Sequence, residues 1–250
     1  MELEGRVALV TGASGGIGGG IAKRFAEAGA RVVVHYRTDA DGAGAVVEAI
    51  ESAGGVARAE QADLREGAED LVERTVRAYG RLDAVVANAG VQPMTPLPEM
   101  TLTEWRAVLE VNLDATFLVL QAAYRRFAAQ GDGGAVVAIG SITGSGPKPG
   151  HAHYAVSKAA VHMLVRAAAV EYAARGVRVN LVSPGLTWRP GIEQEWPEGV
   201  RQWESDNPLH RLGRPSDIAD ACLFLVSPAS SWVTGQELIV DGGTSAGSTW

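Results

Sequence analysis

Short apolar runs alternate with amphipathic stretches along almost the whole chain. Residues 6–11 form an apolar, strand-like run, and 17–28 carry the spacing of an amphipathic helix that Gly29 would close. A β-branched run at 31–36 (RVVVHY), a helix at 43–53, a strand at 56–63 and a helix at 66–79 closed by Gly80 continue the alternation. Residues 82–87 read as a fourth strand, and the Pro- and Thr-rich 93–100 as a loop. Thr101 and Glu104 have capping-box spacing, and the helical pattern that follows runs to Gln130, long enough to predict a bend near Asn112. A strand at 135–140, a long helix at 153–175 stopped by Gly176 and a strand at 177–183 come next. Residues 184–210, with three Trp, four Pro and little periodicity, predict an irregular functional loop. Pro215 and Ser216 open a last helix, and 237–240 form a last strand.

Seven strands alternating with helices predict an α/β fold: one domain over 1–250, a doubly wound, seven-stranded parallel sheet of the Rossmann type with helices on both faces. Ligands of such sheets bind beyond the carboxyl ends of the strands. The residues just after each strand are therefore the candidates for chemistry.

Composition narrows the function. With 46% hydrophobic and 20% charged residues the chain is neither disordered nor fibrous, and a net charge of −7 argues against nucleic acid as a partner. Cys222, the single cysteine, rules out a disulfide within the chain and multi-Cys zinc sites, and reads as a buried thiol. The acidic start lacks the basic segment of a signal peptide, and no apolar run stands out as a membrane span. A cytoplasmic protein without membrane or metal partners is expected.

After strand one, Gly12, Ser14, Gly15, Gly16, Ile17 and Gly18 make a glycine-rich turn into a helix, where free backbone N–H groups and the helix dipole favour a phosphate. The same residues fit G-x-S-x-G, a hydrolase nucleophile elbow, but only five residues precede this strand, so no earlier strand is expected to supply the second oxyanion donor. At the end of strand two, where NAD-selective proteins often carry an acid, the chain reads His35-Tyr36-Arg37-Thr38. Arg37 could face a 2′-phosphate, which favours NADP(H) over NAD(H), with Asp39 and Asp41 nearby to weaken its field. Tyr154 and Lys158 lie four apart on one helix face, Ser141 follows strand five, and a neighbouring ammonium would favour the phenolate needed for acid–base work.

The ordered set Thr11-Gly12-x-x-x-Gly16-x-Gly18, Asn88-Ala89-Gly90, Asn112, Ser141, Tyr154-x-x-x-Lys158 and Pro184-Gly185 resembles the short-chain dehydrogenase/reductase family over nearly the whole chain. The resemblance implies Tyr154 as proton donor or acceptor, Ser141 on the substrate oxygen, Lys158 on the nicotinamide ribose and lowering the tyrosine pKa, and Asn112 holding a relay water. It implies cofactor contacts from the glycine turn and from Tyr36, Arg37 and Thr38, with Asp63 and Leu64 near the adenine, Asn88, Ala89 and Gly90 near the ribose, and Pro184, Gly185 and Thr187 near the nicotinamide. It also implies a homotetramer built on the long helices after strands four and five and on the C-terminal segment. Three positions depart from the family pattern: Gly15 stands where many NADP-using relatives carry a basic residue, Ala87 replaces an Asn, and the threonine after Pro184-Gly185 is displaced.

Substrate contacts are expected from Gln92, Thr143, His151, His153, Trp188, Trp196 and Trp203, the tryptophans either walling a small-molecule carbonyl substrate or packing their loop onto the body. The reading is an NADP(H)-preferring carbonyl reductase or alcohol dehydrogenase. Its alternatives are an NAD-linked sugar, polyol or hydroxysteroid dehydrogenase, and a nucleotide-binding regulator without turnover.

Overall fold

Runs of four to eight residues rich in Val, Ala, Leu and Ile make strands that can be buried on both faces, and the computed structural model, which describes residues 2–247, has seven of them. They are β1 (Val7–Val10), β2 (Arg31–Tyr36), β3 (Val56–Gln61), β4 (Ala84–Ala87), β5 (Gly134–Ile139), β6 (Val177–Pro184) and β7 (Glu237–Val240). All pair in parallel, in the order β3-β2-β1-β4-β5-β6-β7. Helices α1 (Gly16–Glu27), α2 (Ala40–Ser52) and α9 (Pro215–Val226) cover one face, burying Ile21, Phe25, Ile218 and Leu223. Helices α3 (Leu64–Tyr79), α5 (Ala115–Gln130) and α6 (Ala152–Tyr172) cover the other, burying Leu71, Phe127 and Val165. Alternation along β1 serves both layers: Ala8 and Val10 face the first cluster, Leu9 the second. Cys222 lies in the first layer, fully buried, its thiol pKa pushed up by burial.

Strand order reverses at the β1–β4 pair, so the chain leaves these adjacent strands toward opposite faces and opens a crevice at their carboxyl ends. Helix caps account for two boundaries that lie outside the periodic pattern. Asp39 accepts from the Gly42 N–H (3.0 Å) and starts α2 at Ala40, and Asp63 accepts from the Arg65 N–H (3.1 Å) and starts α3 at Leu64.

Two segments refine the expected pattern, the first by matching its bend near Asn112. The run after β4 is α4 (Leu102–Leu109), opened by the Thr101–Glu104 capping box, then a π turn at Glu110–Asp114 centred on Asn112, then α5. These 29 residues, Leu102–Gln130, include a window of mean hydropathy 1.2, so by length and composition alone they are enough to cross a membrane, contrary to the reading that no apolar run is. In the fold, Ala115, Val119, Leu120, Ala123 and Phe127 of this run pack into the second core cluster. The second segment is 184–210, which is not irregular: it folds into α7 (Ile192–Glu195) and α8 (Pro197–Asp206) around a small core of Ile192, Val200 and Leu212.

Candidate active site

The glycine turn is held from below by side chains and left open above. Gly12 and Gly16 adopt left-handed φ of 60° and 52°. A Cβ on Gly12 would lie 2.8 Å from the Ala89 Cα, and one on Gly18 would lie 2.3 Å from the Gly12 carbonyl oxygen, so no larger residue fits either place. The Asn88 amide donates to the carbonyls of Thr11 and Gly12, both at 2.9 Å, and the Thr11 hydroxyl accepts from the N–H groups of Asn88 (2.9 Å) and Ala89 (3.1 Å). On the opposite side His35 accepts the Gly12 N–H on Nδ1 at 3.0 Å, and its backbone carbonyl accepts the Ala13 N–H at 2.8 Å. Among the described residues the N–H groups of Ser14, Gly15, Gly16 and Ile17 have no acceptor. They stand at the start of α1 and form an anion cradle of the kind a pyrophosphate fills.

That cradle lies along a cleft of about 460 Å³ lined by Gly12, Ser14, Gly15, Gly16, Ile17, Gly18, Arg37, Thr38, Asp63, Leu64, Asn88, Ala89, Gly90 and Thr187. Trp188, expected on the substrate side, also lines it, and His35, Ala62, Arg65, Val91, Val111, Ala115 and Arg189 complete the lining without having been singled out in the sequence. Tyr36, expected against the cofactor, points the other way and packs on the core under α1 and α2, because alternate β2 residues face opposite sides. At the far end of the cleft, Asp63 is tied up by Arg65 (2.5 Å), and its hydrogen bonds to Arg65 hold its pKa down at about 2. Arg37 has no carboxylate within 4.0 Å among the described residues. Arg37 thus lines this end of the cleft without a salt-bridge partner, while the Asp39 carboxylate caps α2 close by at the Gly42 N–H.

At the near end, the strand β5 and helix α6 bring the proton-handling groups together. Ser141 next to Tyr154 favours the phenolate, but burial prevails and leaves the Tyr154 pKa raised. Lys158 is buried, donates to the Ile139 carbonyl (2.8 Å), and has its pKa pushed down to about 8 by burial. Its Nζ lies 5.7 Å from the Tyr154 ring centre. A Cβ on Gly90 would come within 3.7 Å of Lys158 Nζ and 3.2 Å of Asn112 Oδ1, so these groups lie directly behind Gly90, which lines the cleft. Asn112 uses its side chain as a clamp: Oδ1 accepts the Val91 N–H (2.8 Å), and Nδ2 donates to the Val91 carbonyl (2.9 Å) and Ser157 Oγ (3.1 Å).

The substrate side is less uniform than the sequence suggests. Trp188 lines the cleft, and the His151 ring stands edge-on to Tyr154 with centroids 6.3 Å apart. His153, by contrast, is fully buried and accepts the Tyr154 N–H on Nδ1 (2.9 Å). Thr143 is also buried and donates its N–H to Ser141 Oγ (3.1 Å), so it orients the serine and does not face a substrate. Gln92 is exposed on the loop after β4. Trp196 lies against Gly199 of α8, and Trp203 packs on Leu212, Val200 and Gly185 with Lys148 Nζ 5.4 Å above its ring. For Trp203 the packing role prevails, whereas Trp196 remains half exposed. Their segment leaves β6 at Pro184 and Gly185, and Leu186 to Trp188 bond back to Gly213: Gly213 N–H to the Leu186 carbonyl, 2.9 Å, and Trp188 N–H to the Gly213 carbonyl, 2.7 Å.

Comparison with known proteins agrees with this geometry. A family model described as enoyl-(acyl carrier protein) reductase, of the short-chain dehydrogenase type, matches residues 12–245. The chain is 38% identical to 3beta-hydroxysteroid dehydrogenase 1 of Eggerthella lenta over 97% of its length and 94% of the relative's. It is 35% identical to glucose 1-dehydrogenase 2 of Bacillus subtilis, over 97% of its length and 95% of that protein's. The crystal structure of a putative short-chain alcohol dehydrogenase from Sinorhizobium meliloti superposes with a TM-score of 0.94 at 34% identity, covering 99% of both chains.

Proposed function

From the premise that the chain belongs to the short-chain dehydrogenase/reductase family, an NAD(P)(H)-dependent oxidoreductase acting on CH–OH and C=O groups, we propose that it is an NADP(H)-preferring carbonyl reductase. The observation that carries the cofactor preference is Arg37, which lines the cleft without a salt-bridge partner among the described residues while Arg65 neutralises Asp63. The chain also fits a dinucleotide: among the described residues four backbone N–H groups at the start of α1 are without acceptors, and the buried Lys158 ammonium lies behind Gly90 of the cleft lining.

A bound reduced nicotinamide supplies a hydride. The chain's residues do the rest. Ser141 holds the substrate carbonyl oxygen beside Tyr154, whose raised pKa keeps the phenol protonated at neutral pH and ready to donate from Oη. Lys158 lies beneath as the positive charge that steadies the phenolate once the proton has left, and Asn112 fixes the Val91 backbone of the cleft lining. Reduction is the favoured direction because cellular NADP pools are held reduced, and the same groups run the reverse reaction.

Substrates of the sizes named in its relatives, a steroid alcohol and a sugar, are the first to screen, with Trp188 and His151 as the contacts. An NAD-linked sugar, polyol or hydroxysteroid dehydrogenase is the second reading, and the relatives' names favour its substrates. The enzyme is further read as a cytoplasmic homotetramer. The test is a panel of ketones with NADPH and of alcohols with NAD+ and NADP+. Tyr154→Phe is expected to lower turnover by about 10²- to 10⁴-fold while cofactor affinity stays within a few-fold. Full activity in Tyr154→Phe would remove it as the proton donor.

A further inference from the structure

His35 stands under the anion cradle, and nothing in its sequence context marks it. It is 2% exposed, on β2, directly below the glycine turn. Its two ring nitrogens bond to different parts of the cleft: Nδ1 meets the Gly12 N–H at 3.0 Å, and Nε2 meets the Ala62 carbonyl, between β3 and α3, at 3.1 Å. A backbone N–H can only donate and a carbonyl can only accept. These partners therefore require the neutral ring with its proton on Nε2.

We propose that neutral His35 is the strut that aims the dinucleotide-binding turn, so that protonating its ring weakens cofactor binding. The inference rests on the dinucleotide reading of the cleft. An imidazolium would point a second N–H at the Gly12 N–H, and that donor pair cannot share a bond. Gly12 is also tied to Asn88, and Ala13 to the His35 carbonyl, so displacement at Gly12 carries into the Ser14 to Ile17 amides that await the pyrophosphate. His35 is a positioning residue: it touches the turn and not the reacting atoms.

The surroundings favour the neutral ring. Burial lowers its pKa, and Arg74, across on α3, lowers it further, while the Ala62 carbonyl and the Asp63 carboxylate act the other way. Glu60 on β3 is paired with Arg74 and Arg58, and Arg37 and Arg65 add positive charge along the same cleft. As pH falls below the ordinary histidine range, an unbound or unfolded chain takes up the proton first, and binding to the intact turn weakens.

Calorimetric titration with ADP-ribose tests this, because that ligand carries the pyrophosphate but neither the 2′-phosphate nor the nicotinamide. The wild type is expected to lose about tenfold in affinity between pH 8 and pH 5, the cost of one broken, buried hydrogen bond. His35→Asn, which does not titrate, is expected to vary less than threefold over the same range. A wild-type affinity independent of pH, or an equal fall in His35→Asn, would overturn the strut. If the wild type binds neither ADP-ribose nor NADP+ at pH 8, the dinucleotide reading fails, and the strut with it. Should His35→Asn fail to fold, nitrogen–proton spectra of the wild type decide: the Nε2-protonated neutral ring is expected at pH 7, and an imidazolium or the Nδ1-protonated form would overturn the proposal.

Discussion

Lys158 shows what a single catalytic side chain costs its fold. It is buried with one carbonyl partner and no carboxylate, and its pKa is pushed from 10.5 down to about 8. Above 10.5 the amine is neutral in folded and unfolded chain alike. As pH falls from there to about 8, the unfolded chain gains a proton that the folded one does not hold, and stability drops by about 3 kcal/mol. Lys158→Met removes that penalty at the expense of one hydrogen bond of about 1 kcal/mol. The variant is expected to lose turnover yet melt above the wild type at pH 7.5, the gap shrinking at pH 10 in thermal scans. An equal gap at both values would contradict the burial argument. Tyr154, Lys158 and Ser141 were legible because a spacing of four on a helix and a position after a strand fix their neighbours locally. His153, Thr143 and Tyr36 were not, since which way each side chain turns depends on packing that no local pattern specifies. The role of His35 arises from the β1–β2 register, which sets Val10 beside Val34 and so brings a ring 23 residues away beneath Gly12.

At the level of elements, irregular composition concealed regular structure. Residues 184–210 lack a 3.6-residue period because α7 and α8 are short and their apolar positions answer to a local core of Ile192, Val200, Leu212 and Trp203, separate from the two large clusters. Trp203 joins that small core to Gly185, where the segment leaves β6. Trp203→Ala removes packing worth about 3–5 kcal/mol, which this short segment cannot absorb but the sheet can. Limited proteolysis is expected to cut the variant between Arg189 and Arg211 while the remainder keeps its melting point; a uniformly lowered melting point without cleavage there would place Trp203 in the main core instead. The helical run after β4 was legible in length, and its π turn sits at Asn112, where the clamp on Val91 needs a side chain turned inward from the regular helix phase.

Seen whole, the molecule keeps a band of apolar side chains at its surface. Val156, Met163 (59% exposed) and Val170 (81%) lie seven apart on α6, Phe117 is exposed on α5, and Trp232 (99%), Leu238 and Ile239 are exposed toward the C-terminal end of the chain. Such a surface supports the homotetramer, and light scattering is expected to give four times the 26.1 kDa chain mass, a monomer being the contrary result. The parallel sheet and its crevice were legible in the alternation of strands and helices, because the continuous apolar runs of central strands such as β1, β4 and β5 could only be buried between two helical layers. The charge balance at one end of the crevice was not, since it depends on Arg65 folding back onto Asp63. That balance is where the account is most exposed. Paired titrations with NADPH and NADH, followed by tryptophan quenching and calorimetry in wild type and Arg37→Ala, test it directly. Tighter binding of NADPH, reduced about tenfold or more by Arg37→Ala with NADH unaffected, is the predicted result. Tighter binding of NADH, or an NADPH preference that survives the loss of Arg37, would contradict it.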